Sequence, residues 1–264
     1  MREPVAGTEL QYEDRGAGPP VLLLHAFPLG LFMWDEQVAA FEETHRLVRF
    51  DYRGFGGSPA GTEPLTMDRI ADDAAALLDL LGIGQAVVVG CSMGGYAAFA
   101  MARRHAARLR GLVLQNTRAG ADTEEARTNR GILAERVLRE GAGAAADAFL
   151  PRLVGETTAR DFPDRVARLR EAVLRNPPRG MANALLGLGA RADYFPTLRD
   201  ISVPTLVVGG EEDVLTPIAE AAAIHAGIPG SRFEVIPRAG HLANIENALA
   251  YNRVLASFLL GSGV

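Results

Sequence analysis

The stretch Gly90-Cys91-Ser92-Met93-Gly94 follows four apolar residues, Ala86-Val87-Val88-Val89, and precedes an alanine-rich run over residues 96–104. The apolar run is typical of a buried strand, and the alanine-rich run is typical of a helix packed closely on a sheet. A serine on the tight turn between them needs small residues two positions before and after it, because the backbones approach closely there. Gly90 and Gly94 meet this requirement. The pattern therefore predicts that Ser92 is an exposed nucleophile rather than part of an ordinary glycine-rich turn.

Other short apolar runs alternate with longer helical patterns on both sides of this turn. Such alternation predicts a mostly parallel sheet flanked by helices. One of these helices is predicted to begin after Thr66 as N-cap and to end at Gly82. Residues 10–13 alternate apolar and polar side chains, which predicts a half-exposed antiparallel strand at an edge of the sheet. The buried strands are predicted at residues 21–25, 47–51, 86–90, 112–116, 205–209 and 233–236.

The alternation of strands and helices breaks between about Arg118 and Tyr194. Charged residues at helical spacing and several prolines predict a group of short helices in this region, without a strand. We interpret its many charges as a solvated helical surface and assign no ligand to them. The predicted organisation is a core of residues 1–118 and 196–264, with residues 119–195 inserted as a helical cap over the strand ends.

The composition excludes several kinds of chemistry. The chain has 264 residues, 48% of them hydrophobic and 22% charged, which is typical of a globular protein. None of the 27 basic residues is a lysine, so Schiff-base catalysis, lysine-linked pyridoxal phosphate and a P-loop lysine are excluded. The single cysteine, Cys91, allows neither an internal disulfide nor a cysteine cluster. The adjacent acids Asp72 and Asp73 point about 100° apart on a helix, so we predict no metal site.

Charge and hydropathy also limit the partners. The net charge of −5 argues against a nucleic-acid binder, because neutralising phosphates requires a basic face. The first residues lack the long apolar segment of a secretory signal, and no apolar run approaches the roughly 20 residues of a membrane span. We therefore expect a cytoplasmic protein with a small-molecule partner and no membrane partner. The oligomeric state is left open by the sequence.

A serine nucleophile needs a base and an acid. Of the five histidines, His45, His105 and His225 lie in contexts typical of structural or surface residues. His241 instead follows the last predicted strand, at the sheet edge where open α/β sheets carry their sites. The acid that orients this histidine is expected after the strand at 205–209, where Asp213 is the first choice and Glu212 the nearest alternative.

These residues resemble the α/β-hydrolase family over nearly the whole chain. Ser92, Asp213 and His241 occur in the order serine, acid, histidine that the family uses. The segments His25-Ala26-Phe27-Pro28, Asp51-Tyr52-Arg53-Gly54-Phe55-Gly56-Gly57-Ser58 and Gly240-His241 followed by Leu242 to Glu246 are similar to family motifs. The family's Gly-x-x-Asp pattern falls on Gly210 to Asp213, so the resemblance favours Asp213 over Glu212.

The resemblance implies the rest of the expected site. It assigns the oxyanion hole to the backbone N–H groups of Phe27 and Met93. Ala26 departs from the His-Gly pattern that is commoner in the family. His25 is expected to support the Phe27 loop through hydrogen bonds, and Gly90 and Gly94 to support the serine turn.

The resemblance also implies an α/β-hydrolase fold with a mostly parallel, eight-stranded-type sheet and an inserted helical cap. The most similar branch comprises serine esterases and enzymes like 3-oxoadipate enol-lactonase. We therefore expect a cofactor-free hydrolase of carboxylic esters or lactones with Ser92, His241 and Asp213 as its triad. The alternatives are a perhydrolase or haloperoxidase-like enzyme, a C–C bond hydrolase with the same triad, and a non-catalytic small-ligand-binding member of the fold.

Overall fold

The computed structural model describes residues 1–261, and its centre is one eight-stranded sheet. The spatial order of the strands is β1-β2-β4-β3-β5-β6-β7-β8. β1 and β2 run antiparallel to their neighbours, and all other pairs are parallel. The strands are β1 Arg2–Val5, β2 Thr8–Arg15, β3 Pro20–Leu24, β4 Arg46–Phe50, β5 Ala86–Cys91, β6 Leu109–Gln115, β7 Thr205–Gly210 and β8 Arg232–Ile236.

The central strands are apolar because both of their faces are covered. Every residue of β5 and β7 is buried, as expected for parallel strands between helical layers. Each of the six predicted buried strands overlaps one of the strands β3 to β8. The mostly parallel sheet is thereby confirmed. The prediction that residues 233–236 are buried is wrong, because β8 is the other edge of the sheet and only its Ile236 is buried.

The prediction of residues 10–13 as an edge strand is wrong in one respect. These residues lie in β2, which pairs with β4 on one side and with β1 on the other. The edge is β1, in which only Val5 is buried. β1 has no apolar run and therefore no hydrophobic pattern that predicts a strand. With β1 unpredicted, β2 is expected at the edge, although β1 lies outside it.

Helices flank the sheet, and one of them begins at the threonine N-cap that the sequence predicted. The predicted helix after Thr66 is present as α2, and the Thr66 side chain accepts a hydrogen bond from the Arg69 N–H at 3.1 Å. In chain order the helices are α1 Asp35–Phe41, α2 Met67–Leu80, α3 Met93–Arg104, α4 Glu124–Glu140, α5 Ala142–Leu153, α6 Glu156–Asp161, α7 Pro163–Leu174, α8 Pro178–Gly189, α9 Ile218–Gly227, α10 Ala243–Glu246 and α11 Ala248–Gly261.

Helices α4 to α8 form one helical insertion, Glu124 to Gly189, between β6 and β7. No strand interrupts it, as the sequence predicted for this part of the described chain. α4 packs against α8 and α5 against α7, so the insertion has its own internal contacts. The exact boundaries of a cap domain stay a prediction.

Among the helices within residues 1–261, none is both long and apolar enough to cross a lipid bilayer. The cytoplasmic location stays a prediction.

Candidate active site

Ser92 lies on the turn between β5 and α3, in a backbone conformation that side chains rarely adopt. Its φ is 54° and its ψ is −112°. Such a position is strained for a residue with a Cβ and persists only where the surroundings hold it. The hydroxyl of Thr117, just after β6, donates to the Ser92 carbonyl oxygen at 3.0 Å and helps to hold this turn.

The glycines on either side of Ser92 are required by close backbone contacts. A Cβ at Gly94 would lie 2.1 Å from the backbone oxygen of Leu24 in β3. A Cβ at Gly90 would lie 2.3 Å from the backbone oxygen of Gly94. The structure thus provides the physical reason for glycine that the sequence pattern indicated.

His241 and Asp213 form a buried hydrogen-bonded pair. His241 follows β8 in a short turn, and Asp213 follows β7. The Nδ1 atom of His241 lies 2.9 Å from Oδ2 of Asp213, and the side chains are 3% and 0% exposed. Because an ionised carboxylate only accepts hydrogen bonds, Nδ1 carries the proton, which leaves Nε2 as a proton acceptor.

Four further hydrogen bonds hold the Asp213 carboxylate. Its Oδ1 accepts from the backbone N–H groups of Leu215 and Thr216, at 2.8 and 3.0 Å. Its Oδ2 accepts from the Thr216 hydroxyl at 2.5 Å and from the Asn116 amide at 2.8 Å. Burial by itself would raise the pKa of Asp213, but the electrostatic effect of the neighbouring His241 and the hydrogen bonds from His241 and Thr216 lower it to about 2. Asp213 is therefore ionised at neutral pH.

Sequence reasoning missed the roles of Asn116 and Thr216. Both are short polar residues next to strand ends, and nothing in their local pattern distinguishes them from ordinary turn residues. Asn116 has a positive φ of 45°, and its amide also approaches the Gly240 carbonyl oxygen at 3.3 Å.

Glu212, the alternative acid, has a different partner. Its carboxylate accepts hydrogen bonds from the backbone N–H of Thr157 at 2.8 Å and from the Thr157 hydroxyl at 2.5 Å. Thr157 belongs to α6, so Glu212 fastens the helical insertion to the β7 loop instead of contacting His241. Glu246 acts similarly, since its two oxygens accept from the N–H groups of Gly155 at 2.7 Å and Leu242 at 3.0 Å.

Two backbone N–H groups near Ser92 have no protein acceptor in the described part of the chain. Met93 is the first residue of α3, and Phe27 lies in the loop after β3. Within residues 1–261, neither N–H group donates a hydrogen bond to another protein atom. Both residues line the same cavity as Ser92 and His241. The two N–H groups are thus available to a ligand in that cavity, as an oxyanion hole requires.

His25 holds the loop that carries Phe27, as a neutral imidazole. The backbone N–H of Tyr52 donates to His25 Nε2 at 3.3 Å, so Nδ1 carries the proton and donates to the Ala26 carbonyl oxygen at 3.0 Å. The ring stacks on Tyr52 with 3.7 Å between centroids. Complete burial lowers the pKa of His25 to about 3, so it is uncharged at neutral pH.

The cavity has a volume of about 340 Å³ and lies between the Ser92 turn and the helical insertion. Apolar side chains from α4, α5 and α8 line it, including Leu133, Leu153 and Leu188. Three arginines also line it, namely Arg118, Arg130 and Arg152. The interpretation of the charges in this region as a solvated surface is therefore wrong for Arg118 and Arg130, whose side chains are 33% and 21% exposed, whereas Arg152 is exposed as expected.

The profile of the α/β hydrolase fold family matches residues 19–248. The chain belongs to the α/β-hydrolase fold family. Among solved structures, this α/β-hydrolase is similar to a malate-bound thermophilic esterase from Thermogutta terrifontis, with 41% identity, complete coverage of both chains and a TM-score of 0.98. It is also similar to an enol-lactonase from Burkholderia xenovorans, with 33% identity over 98% of this chain and 100% of that one, and a TM-score of 0.92.

A sequence relative of this α/β-hydrolase is 3-oxoadipate enol-lactonase 1 from Acinetobacter baylyi. The two are 33% identical over 235 residues, which is 86% of this chain and 83% of that protein. The family resemblance drawn from the motifs is thus confirmed, together with the fold.

Proposed function

We propose that this α/β-hydrolase cleaves carboxylic esters or lactones, with Ser92 as nucleophile, His241 as general base and Asp213 as the acid of a triad. The observation that carries the proposal is the convergence of three elements on one cavity. A strained serine turn, an imidazole oriented by a buried carboxylate and two unpaired N–H groups all meet there. The relatives named as esterases and enol-lactonases support the same reaction class.

The reaction would proceed in two halves. His241 Nε2 takes the proton of the Ser92 hydroxyl as its oxygen attacks the substrate carbonyl carbon. Asp213 stabilises the resulting imidazolium, which then protonates the leaving alkoxide. In the second half His241 activates a water molecule that hydrolyses the acyl-enzyme, and the acid product leaves. No cofactor takes part in this scheme.

The backbone N–H groups of Phe27 and Met93 would stabilise the negative oxygen of the tetrahedral intermediates. Removing one such donor typically costs about 3 kcal/mol of transition-state stabilisation. His25, Gly90 and Gly94 would act indirectly, because they fix the two loops that carry these N–H groups.

We also propose that residues 119–195 act as a cap domain on a core of residues 1–118 and 196–264. The lining of the cavity by α4, α5 and α8 supports this division. A cap of this kind would select substrates by the shape of its inner surface.

Release of p-nitrophenol from short and medium acyl esters tests the proposal. We expect wild type to turn over, and Ser92→Ala to lose at least about a thousandfold in kcat, as for other triad nucleophiles. Ser202→Ala, at an exposed serine outside the cavity, is the control and should match wild type. An inactive wild type on a broad ester and lactone panel, or an active Ser92→Ala, would contradict the proposal.

A further inference from the structure

Asn176 is a buried polar residue of the helical insertion, in the link between α7 and α8. Only 5% of it is exposed, although Arg175 before it lies on the surface and Pro177 after it is half-buried. Proline disfavours helical backbone at the residue before it, which is consistent with the end of α7 before Asn176. A buried amide without hydrogen-bond partners costs free energy, so the side chain of Asn176 must be satisfied by other parts of the fold.

Three hydrogen bonds satisfy the Asn176 amide, all of them with backbone groups outside the insertion. Its Nδ2 donates to the carbonyl oxygens of Pro28 at 2.8 Å and of Leu29 at 3.2 Å. Its Oδ1 accepts from the N–H of Gly56 at 2.9 Å. Turning the amide over would place Nδ2 against an N–H and Oδ1 against two carbonyl oxygens, so these partners fix its orientation. Asn176 therefore joins the insertion to the loop after β3 and to the loop after β4.

The loop after β3 carries the candidate oxyanion donor Phe27, and Asn176 binds the two residues that directly follow it. Within residues 1–261, no other group donates to the carbonyl oxygens of Pro28 and Leu29. The N–H of Leu29 in turn donates to the Ala26 carbonyl oxygen at 2.9 Å, which closes a turn around Phe27. The position of Leu29 therefore affects the peptide group that presents the Phe27 N–H.

His25 and Asn176 hold opposite halves of this loop. His25 donates through Nδ1 to the Ala26 carbonyl oxygen at 3.0 Å, on the side that precedes Phe27. Asn176 donates on the side that follows Phe27. The N–H of Phe27 is thus oriented from both sides, and one of the two supports comes from the insertion.

Two side chains link the loops after β3 and β4 to each other. The Asp51 carboxylate, directly after β4, accepts the N–H of Leu31 at 2.8 Å and the N–H of Gly57 at 3.2 Å. Asn176 makes the second link, because it accepts the N–H of the adjacent Gly56 while it donates to the loop after β3. The loop of the oxyanion donor is therefore fastened to its neighbour by one residue next to the sheet and by one residue of the insertion.

We propose that Asn176 is a positioning residue of the reaction, which holds the N–H of Phe27 where it stabilises the negative oxygen of the tetrahedral intermediates. The inference rests on the proposed function. A donor stabilises this charge best when it is held in place before the charge develops, and a misplacement of about 1 Å can cost about a hundredfold in rate. The insertion thereby contributes to the chemical step in addition to lining the cavity.

Asn176→Asp tests this role with little change of shape. An ionised aspartate keeps an oxygen for the Gly56 N–H but cannot donate to the two carbonyl oxygens of the loop after β3. Asn183→Asp is the matched control. Asn183 is 6% exposed, belongs to α8 and does not line the cavity. Its amide donates to the Gly61 carbonyl oxygen at 2.8 Å, in a loop without an oxyanion donor.

The kinetics of p-nitrophenyl butyrate hydrolysis separate a positioning role from a structural one. In Asn176→Asp we expect kcat to fall about tenfold to a hundredfold with KM within about twofold of wild type, because the oxyanion contact strengthens in the transition state. Asn183→Asp should keep the wild-type kcat, even if urea unfolding shows a similar loss of stability. An unchanged kcat in Asn176→Asp, or equal decreases in the two variants, would overturn the inference while the proposed function stood.

Far-UV circular dichroism checks that each variant is folded. If the buried charge prevents Asn176→Asp from folding, Asn176→Ala and Asn183→Ala replace the pair, because alanine removes the same hydrogen bonds without burying a charge. The decrease in kcat should again be confined to Asn176→Ala. A decrease in both alanine variants, or in neither, would overturn the inference.

Binding of butyl trifluoromethyl ketone tests the oxyanion hole without turnover. The Ser92 oxygen adds to the ketone carbon, its proton passes to His241, and the carbonyl oxygen becomes an anion beside the two N–H groups. Fluorine NMR should show this adduct with wild-type affinity in Asn183→Asp and with affinity weakened about tenfold or more in Asn176→Asp. Equal affinity in all three proteins, or no adduct with wild type, would overturn the inference. No ester hydrolysis by wild type, with this binding pattern intact, would instead contradict the proposed function alone.

Discussion

The buried carboxylate of Glu246 joins the helical insertion to the loop that carries His241. One of its oxygens accepts the N–H of Leu242, which directly follows His241, and the other accepts the N–H of Gly155, between α5 and α6. Glu246 is only 7% exposed, and Leu242 and Gly155 are buried. Replacing Glu246 with alanine would leave two buried N–H groups without an acceptor.

The expected loss of stability follows from these two donors. Each unsatisfied buried donor costs about 1–3 kcal/mol, so Glu246→Ala should destabilise the protein by about 2–6 kcal/mol. For a chain of this size, 1 kcal/mol corresponds to about 2 °C in Tm, which gives a decrease of about 4–12 °C. Glu246→Gln keeps one carbonyl oxygen as acceptor but presents an NH₂ to the other N–H, so about half of this loss is expected.

Urea unfolding followed by circular dichroism measures the free energy, and thermal unfolding measures Tm. Glu211→Ala is the matched control, because Glu211 also accepts a backbone N–H, that of Arg238 at 2.8 Å, but on an exposed surface. The free energy of unfolding of Glu211→Ala should fall by less than about 1 kcal/mol. The kcat of Glu246→Ala should also fall, since the His241 loop loses a support. If Glu246→Ala and Glu211→Ala lost equal stability, the attribution to buried donors would be refuted.

Three other changes have defined outcomes. As the pH falls from 6.5, the ordinary pKa of histidine, to 3, near the pKa of His25 in the folded protein, the free energy of unfolding measured in urea should fall by up to about 5 kcal/mol, because only the unfolded state takes up this proton. His25→Gln should flatten that dependence. Gly94→Ala should cost more than about 2 kcal/mol in unfolding free energy, since its Cβ would meet a β3 backbone oxygen, whereas Gly84→Ala, with open space around it, should change little. Thr216→Val should lower kcat/KM for p-nitrophenyl esters about tenfold through the lost hydrogen bond to Asp213, and an unchanged value would argue against that contact.

Much of the fold was predictable because its signals are local. The strand, turn and helix around Ser92 depend on apolar runs and on two glycines, and each has a direct steric cause in the structure. The buried parallel strands were found for the same reason, since both of their faces are covered and their sequences are continuously apolar. Asp213 was found because it follows such a strand, β7, and His241 because it follows β8, where Phe233, Val235 and Ile236 still indicate a strand.

The parts that escaped prediction depend on tertiary contacts. Strand β1 is exposed and polar, so its place in the sheet follows from its hydrogen bonds to β2 and not from a hydrophobic pattern. Arg118 and Arg130 have the same local sequence context as solvated charges, and only the tertiary fold brings them to the cavity beside Ser92. Asn116 and Thr216 support Asp213 from a neighbouring strand end and from the same loop, a relation that sequence periodicity does not encode.

The identity of the nucleophile is the central claim, and covalent labelling tests it most directly. Wild type treated with a fluorophosphonate is expected to lose its esterase activity as one phosphonyl group attaches, and mass spectrometry of the digested protein should locate that group on the peptide containing Ser92. His241→Ala should label much more slowly, because Ser92 then lacks its base. Complete retention of activity with no label on Ser92, or inactivation with the label on another residue, would contradict the account.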